Sequence, residues 1–145
     1  MDLVSRNCQA VAEFLTKHPR VAAVDYLGLP GFRYHELAER YMKLADSDDG
    51  RGGEVNRYGH LMSFVVDGPP ENARRVFDGF QLIFRATDLG RIKSVATIPA
   101  ISTHQQQGEE ARQMAGLPTQ MTRLCAGAAA PADVIAALDQ ALAGL

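Results

Sequence analysis

Residues 121–127 read Met-Thr-Arg-Leu-Cys-Ala-Gly, MTRLCAG. Strand alternation over 121–126 puts Met121, Arg123 and Cys125 on one face and Thr122, Leu124 and Ala126 on the other. A guanidinium flanked by Met and Cys is partly desolvated and needs an anionic or bidentate acceptor. Two acceptors fit: an internal Asp or Glu, or the carboxylate or phosphate of a ligand.

Working outward, the spacing predicts a short helix over 109–115, ended by Gly116 and Pro118. A last helix over 131–142 carries Val134, Ile135, Leu138 and Leu142 on one stripe. Two further strand candidates, 81–85 and 94–98, flank Thr87-Asp-Leu-Gly90. Residues 61–66 form a strand apolar on both faces and therefore central. Pro69-Pro70-Glu71 opens a helix running to about Phe80, since Pro and Glu suit a first helical turn. Near the start, 2–17 reads as a helix with the stripe Val4, Cys8, Val11 and Leu15, stopped by Pro19. Residues 21–26 form a short strand and 28–31 a turn. A helix over about 34–44 carries Leu37, Tyr41 and Leu44 on one face. Residues 46–58, DSDDGRGGEVNRY, read as a surface loop. The Asp-Ser-Asp-Asp-Gly run lacks the twelfth-position Glu of an EF-hand, so calcium binding is not expected. Strands and helices do not alternate strictly. The expected class is α+β, a single domain over 1–145 with a small mixed or antiparallel sheet of four to five strands covered by helices.

The chain has 145 residues, 46% apolar and 22% charged, with a net charge of −2, as in an ordinary globular protein. No basic block points to nucleic acid or an anionic membrane, and no apolar run approaches the length of a membrane span. The start lacks the basic and apolar regions of a signal peptide. Cys8 and Cys125 lack metal-ligand spacing and read as buried, reduced thiols of a cytoplasmic protein. No His pair has metal-site spacing. The three lysines, Lys17, Lys43 and Lys93, stand against twelve arginines, and none has the desolvated setting of a Schiff-base lysine.

Two polar places stand out besides Arg123. Asp88 sits in ATDLG before a glycine, either a turn aspartate bonded to its own backbone or a group at a pocket mouth. The stretch 99–107, PAISTHQQQ, is too polar for a core strand, and its lone His104 has no Cys, Ser or His partner at a catalytic spacing. A structural hydrogen bond is the plain reading of such a histidine.

Taken together, the pieces resemble the carboxy-terminal domain of the Cys/Met-metabolism family of pyridoxal-phosphate (PLP) enzymes, which includes cystathionine γ-synthase, cystathionine lyases, methionine γ-lyase and O-acetylhomoserine sulfhydrylase. ATDLGRIKSVATIPAISTH, 86–104, is similar to the family's ATSLGGxxSLxxHPAxxTH. GLPTQMTRLCAG, 116–127, is similar to GIxxxLIRLSVG. SRNCQAVAEFLTKHPRVAAVDYLGLPGFRYHELAERYM, 5–42, looks like the family's helix, strand and YPGL…H-x-L-A passage, and GHLMSFVVDG, 59–68, like its glycine-led strand. The run Gln105–Gln107 resembles what sulfhydrylase-like members carry.

The resemblance implies a fold type I C-terminal domain that completes an active site without a catalytic residue of its own. It implies that Arg123 binds the substrate α-carboxylate, with Thr103 and His104 beside the site mouth. The family's carboxylate-binding serine of SLG is Asp88 here, and the serine of PAS is Ile101. A carboxylate at 88 would repel a substrate carboxylate or compete for Arg123. The implied cofactor is pyridoxal phosphate in the intact enzyme, none being bound by this chain alone. Its lysine, pyridine-facing aspartate and phosphate loop belong to a large preceding domain, in the same gene or a separate chain. The implied partners are that domain, an amino-acid substrate and further copies in a homo-oligomer. The isolated chain is expected to be inactive. The alternative is a stand-alone, non-enzymatic α+β module that binds a small anion or a protein partner.

Overall fold

The computed structural model describes residues 1–45 and 53–145. Helix α1 (Asp2–Lys17) leads into strand β1 (Val21–Asp25), helix α2 (His35–Tyr41) and two short strands, β2 (Lys43–Leu44) and β3 (Val55–Asn56). Strand β4 (Leu61–Val66), helix α3 (Pro70–Asp78), strand β5 (Phe84–Arg85) and strand β6 (Val95–Thr97) follow. A 3-10 turn (Pro99–Ile101), helix α4 (Glu109–Met114), strand β7 (Met121–Cys125) and helix α5 (Pro131–Ala143) complete the order.

Five strands form one sheet in the order β1-β4-β7-β6-β5. All its pairings are antiparallel except β5 with β6. The α+β expectation of a small mixed sheet covered by helices therefore stands, and β4 is an interior strand as its two apolar faces required.

The core lies on the face of the sheet that α1, α3 and α5 cover. Cys8, Val11 and Leu15 of α1, Val76 of α3, and Val134, Leu138 and Leu142 of α5 meet Met62, Phe64, Val66 and Leu124 there. Fully burying a side chain such as Leu124 or Phe64 contributes about 1.5–3 kcal/mol. Among the described residues this layer also buries polar side chains, Ser5 and Asn7 of α1 and Thr122 of β7. For Asn7 the reason is a tie between segments. Its amide donates to the carbonyls of Gly127 and Ala129, both at 2.9 Å, and ties α1 to the end of β7.

Three expectations need correction. Helix α2 stops at Tyr41, because Met42 leaves helical geometry and Lys43–Leu44 pairs with Val55–Asn56 as a two-stranded ribbon. Leu37 and Tyr41 are exposed and form no buried face. The expected loop over 46–58 thus contains a strand at its end. Residues 46–52, with the aspartate cluster, lie outside the described residues. The 81–85 strand shrinks to Phe84–Arg85, where a parallel edge partner is all that β6 offers.

Both cysteines are buried and free, on opposite faces of the sheet. Burial pushes the Cys8 thiol from 9.0 up to about 12. The Tyr26 hydroxyl, which donates to the Gly59 carbonyl at 2.9 Å, is raised chiefly by burial too. Both groups are neutral in the fold, and the unfolded chain ionises first. Stability is therefore complete below pH 9.0 and falls as pH rises toward the folded Cys8 value. The Cys8 contribution falls by about 1.4 kcal/mol per pH unit across that window. Urea midpoints measured across this window should decline in the wild type and decline less in Cys8→Ala. A flat profile up to the folded value contradicts this.

Candidate functional site

The face of the sheet away from α1, α3 and α5 is striped by register. Asp25 of β1 pairs with Ser63 of β4, Ser63 with Arg123 of β7, and Arg123 with Thr97 of β6. Directly opposite residues in antiparallel strands point the same way, so these four form one polar row across four strands. Apolar rows lie on either side, Leu61–Cys125–Val95 and Ala23–Val65–Met121.

Arg123 is partly buried, and its Nε is a buried donor with no acceptor. Among the described residues its guanidinium makes no ion pair, so the internal Asp or Glu acceptor does not materialise. It borders an open cleft of about 410 Å³ walled by Phe32, Tyr34, Pro99, Leu117 and Met121, with Asp25 and Ser63 on the floor. A larger hollow of about 650 Å³ lies beside it, between the end of α1 and residues 29–33. Its charged groups are Asp25 and Arg33, and no buried unpaired polar atom of the described residues faces it. The orphaned guanidinium donor makes the smaller cleft a place where an anion gains a hydrogen bond; Arg112 Nε, at a smaller hollow by α4, is likewise without an acceptor.

The neighbours of Arg123 are arranged with it. Ser102 Oγ donates to the Ile98 carbonyl at 2.7 Å and stands 2.8 Å from Thr97 Oγ1. With the Ser102 proton committed to Ile98, Thr97 is the donor to Ser102, and its own oxygen faces the row as an acceptor only. Burial raises the Cys125 thiol, while the Gly90 backbone N–H and the Arg123 guanidinium pull it back part-way. Cys125 is thus a neutral thiol in the apolar row beside it.

The other expected residues sit elsewhere. Asp88 forms an exposed ion pair with Arg91, three residues on, rather than with Arg123 or its own turn backbone. The pair is surface-exposed and contributes at most about 1 kcal/mol. Asp88→Ser is therefore expected to leave the thermal midpoint within about 3 °C of wild type, checked by calorimetry. Thr103 Oγ1 and His104 Nδ1 lie 2.8 Å apart, and the His104 backbone N–H donates to the Pro99 carbonyl at 2.9 Å. Both residues stiffen the turn whose Pro99 reaches the cleft, and neither lines the cleft itself. Asp25, Ser63, Thr97 and Ser102 were not among the residues singled out from sequence. A row that crosses four strands leaves no trace in any one of them.

Solved structures share this fold. The chain superposes with a TM-score of 0.84 and 36% identity on an O-acetylhomoserine (thiol)-lyase from Campylobacter jejuni that carries a pyridoxyl-lysine monophosphate, covering 97% of this chain and 31% of that one. It superposes at 0.82 and 29% identity on a cystathionine gamma-lyase from Micromonospora echinospora, covering 99% and 34%. The architecture is thus that of part of a pyridoxal-phosphate enzyme. The family described as Cys/Met metabolism PLP-dependent enzyme matches residues 1–143, and the chain belongs to that family. Curated relatives include the homocysteine synthase of Schizosaccharomyces pombe, 33% identical over 137 residues, and an L-methionine gamma-lyase of Porphyromonas gingivalis, 33% identical over 145. The chain spans 29% and 33% of their lengths.

The residues here do not fit the cofactor by themselves. A pyridoxal aldehyde is held by a lysine amine. Lys17 is exposed at the end of α1, Lys43 donates to Asn56 Oδ1, and Lys93 lies over the Phe84 ring. None borders the Arg123 cleft, so no chemical step is assigned to the cofactor on this chain. Among the described residues no helix is long and apolar enough to cross a membrane, and no group of three or more His, Cys, Asp or Glu could hold a metal.

Proposed function

We propose that this chain is the small carboxy-terminal domain of a cytoplasmic PLP-dependent Cys/Met-metabolism enzyme, and that it supplies the substrate-facing wall of the active site. Arg123 is the clamp for the substrate α-carboxylate. The observation that carries this reading is the buried, unpaired Nε of Arg123 in an open cleft. A carboxylate on a planar guanidinium is oriented as well as bound, which holds the substrate Cα in register with whatever reacts there. The Asp88–Arg91 pair keeps the Asp88 charge from Arg123, so the aspartate at the family's serine position leaves the clamp free. Cofactor, catalytic lysine and most subunit contacts come from the large domain. The whole enzyme performs elimination or replacement on a sulfur-containing or O-acylated amino acid.

Kinetics of Arg123→Ala in the intact enzyme test the clamp, and unchanged kinetics overturn it. The domain role is tested by the mass of the native species in source cells, read with an antibody against this chain. A species much larger than 145 residues supports one domain of a full enzyme. A species of this size alone, with no co-purifying large chain, supports instead a stand-alone anion-binding module built on the same cleft.

A further inference from the structure

We propose that Asp25 is a second anchor of opposite sign in the Arg123 cleft, so that the cleft takes a ligand with a carboxylate at one end and a cationic group at the other. This inference rests on the reading of Arg123 as a carboxylate clamp and names the substrate class that the clamp serves. Asp25 and Arg123 border the same cleft and occupy the same row, two strands apart with Ser63 between them. Two inter-strand spacings put their backbones about 10 Å apart, room for a chain of several methylenes. The adjoining Leu61 and Met121 rows give that chain an apolar bed.

Both anchors are uncommitted. Asp25 is exposed and, among the described residues, has no ion pair or side-chain hydrogen bond. Arg33 borders the neighbouring hollow with Asp25 but stacks 4.6 Å from the Tyr34 ring centroid and makes no ion pair with it. A carboxylate in line with the clamp has a selective consequence. A ligand ending in an ammonium gains an ion pair, whereas a ligand ending in a second carboxylate is repelled. Asp25 thus biases the site toward amino acids with a cationic far end and against those with an acidic acyl end.

The test is competition of three straight-chain six-carbon acids against substrate in the intact enzyme, read as inhibition constants. ε-Aminocaproate carries a far ammonium, caproate a methyl and adipate a second carboxylate. ε-Aminocaproate should bind about fivefold tighter than caproate, the size of an exposed ion pair, with adipate weakest. The ranking should collapse in concentrated salt, because an exposed pair is screened. Asp25→Asn should bring the three ligands to one affinity, and Arg123→Ala should abolish binding of all three. Loss of binding in Arg123→Ala with the ranking intact in Asp25→Asn overturns the Asp25 anchor alone. Caproate still bound by Arg123→Ala overturns the clamp. A wild-type enzyme inhibited by none of the three overturns both.

Discussion

Arg123→Ala should lower kcat/KM of the intact enzyme by roughly a hundredfold to a thousandfold. A carboxylate held by a desolvated guanidinium loses about 3–4 kcal/mol when that partner is truncated, part of it the cost of leaving the anion unpaired. The loss falls on KM if the carboxylate is held equally well throughout the reaction, and on kcat as well if the clamp also orients Cα. Arg123→Lys should recover part of KM but little of kcat, because an ammonium supplies charge without the planar fork. Stability gives the control. Arg123 makes no ion pair among the described residues and leaves a buried donor unsatisfied, so its removal should change folding free energy by no more than about 1 kcal/mol. A variant that loses activity through unfolding would mark Arg123 as a structural residue and sink the clamp.

Gly127→Ala should be the most destabilising single methyl in the chain's second half. A Cβ at Gly127 would lie 2.4 Å from the Ile92 carbonyl oxygen, 2.6 Å from the Lys93 carbonyl carbon and 2.6 Å from the Ser94 nitrogen. All three are backbone atoms, so no rotamer change relieves the overlap. The two segments are also fastened there, with the Gly127 N–H donating to Ser94 Oγ at 3.0 Å and the Gly127 carbonyl accepting from Asn7. Overpacking of this kind costs about 3 kcal/mol or more, a fall of roughly 10 °C in thermal midpoint for a chain of this length. Gly108→Ala is the matched comparison, since a Cβ there meets nothing within 4 Å. Equal midpoints for the two variants would show that the close approach of 92–94 to 127 is not rigid.

The contrast between these residues shows what could be read from the chain alone. Helices α1 and α5 were legible because their apolar stripes repeat over several turns and bury as they repeat. Strand β7 was legible by alternation, and Arg123 stood out because its flanking residues could not solvate it. The two-residue strands β2 and β3 were not, since a pair of residues has no period, and the strand expected over 81–85 was real but reduced to Phe84–Arg85. Asp88 found its partner at Arg91, a local ion pair that neither the turn reading nor its place in the motif named. Asn7 drew no attention in the sequence, because its partners, the Gly127 and Ala129 carbonyls, lie at the other end of the chain. The row from Asp25 to Thr97 depends on cross-strand register, and register is settled only when 21–25, 61–66, 95–97 and 121–125 meet.

The strand order has a consequence for synthesis on the ribosome. Strand β7, the last of the five to be made, sits in the middle of the sheet between β4 and β6. Until residues 121–125 emerge, β4 has β1 on one side and a bare edge on the other, and β6 has only the two residues of β5. The nascent chain therefore carries open hydrogen-bonding edges from the emergence of β4 until that of β7, a state prone to pairing with other chains. Slowing elongation while 61–97 are outside the ribosome and 121–125 are not should raise aggregation.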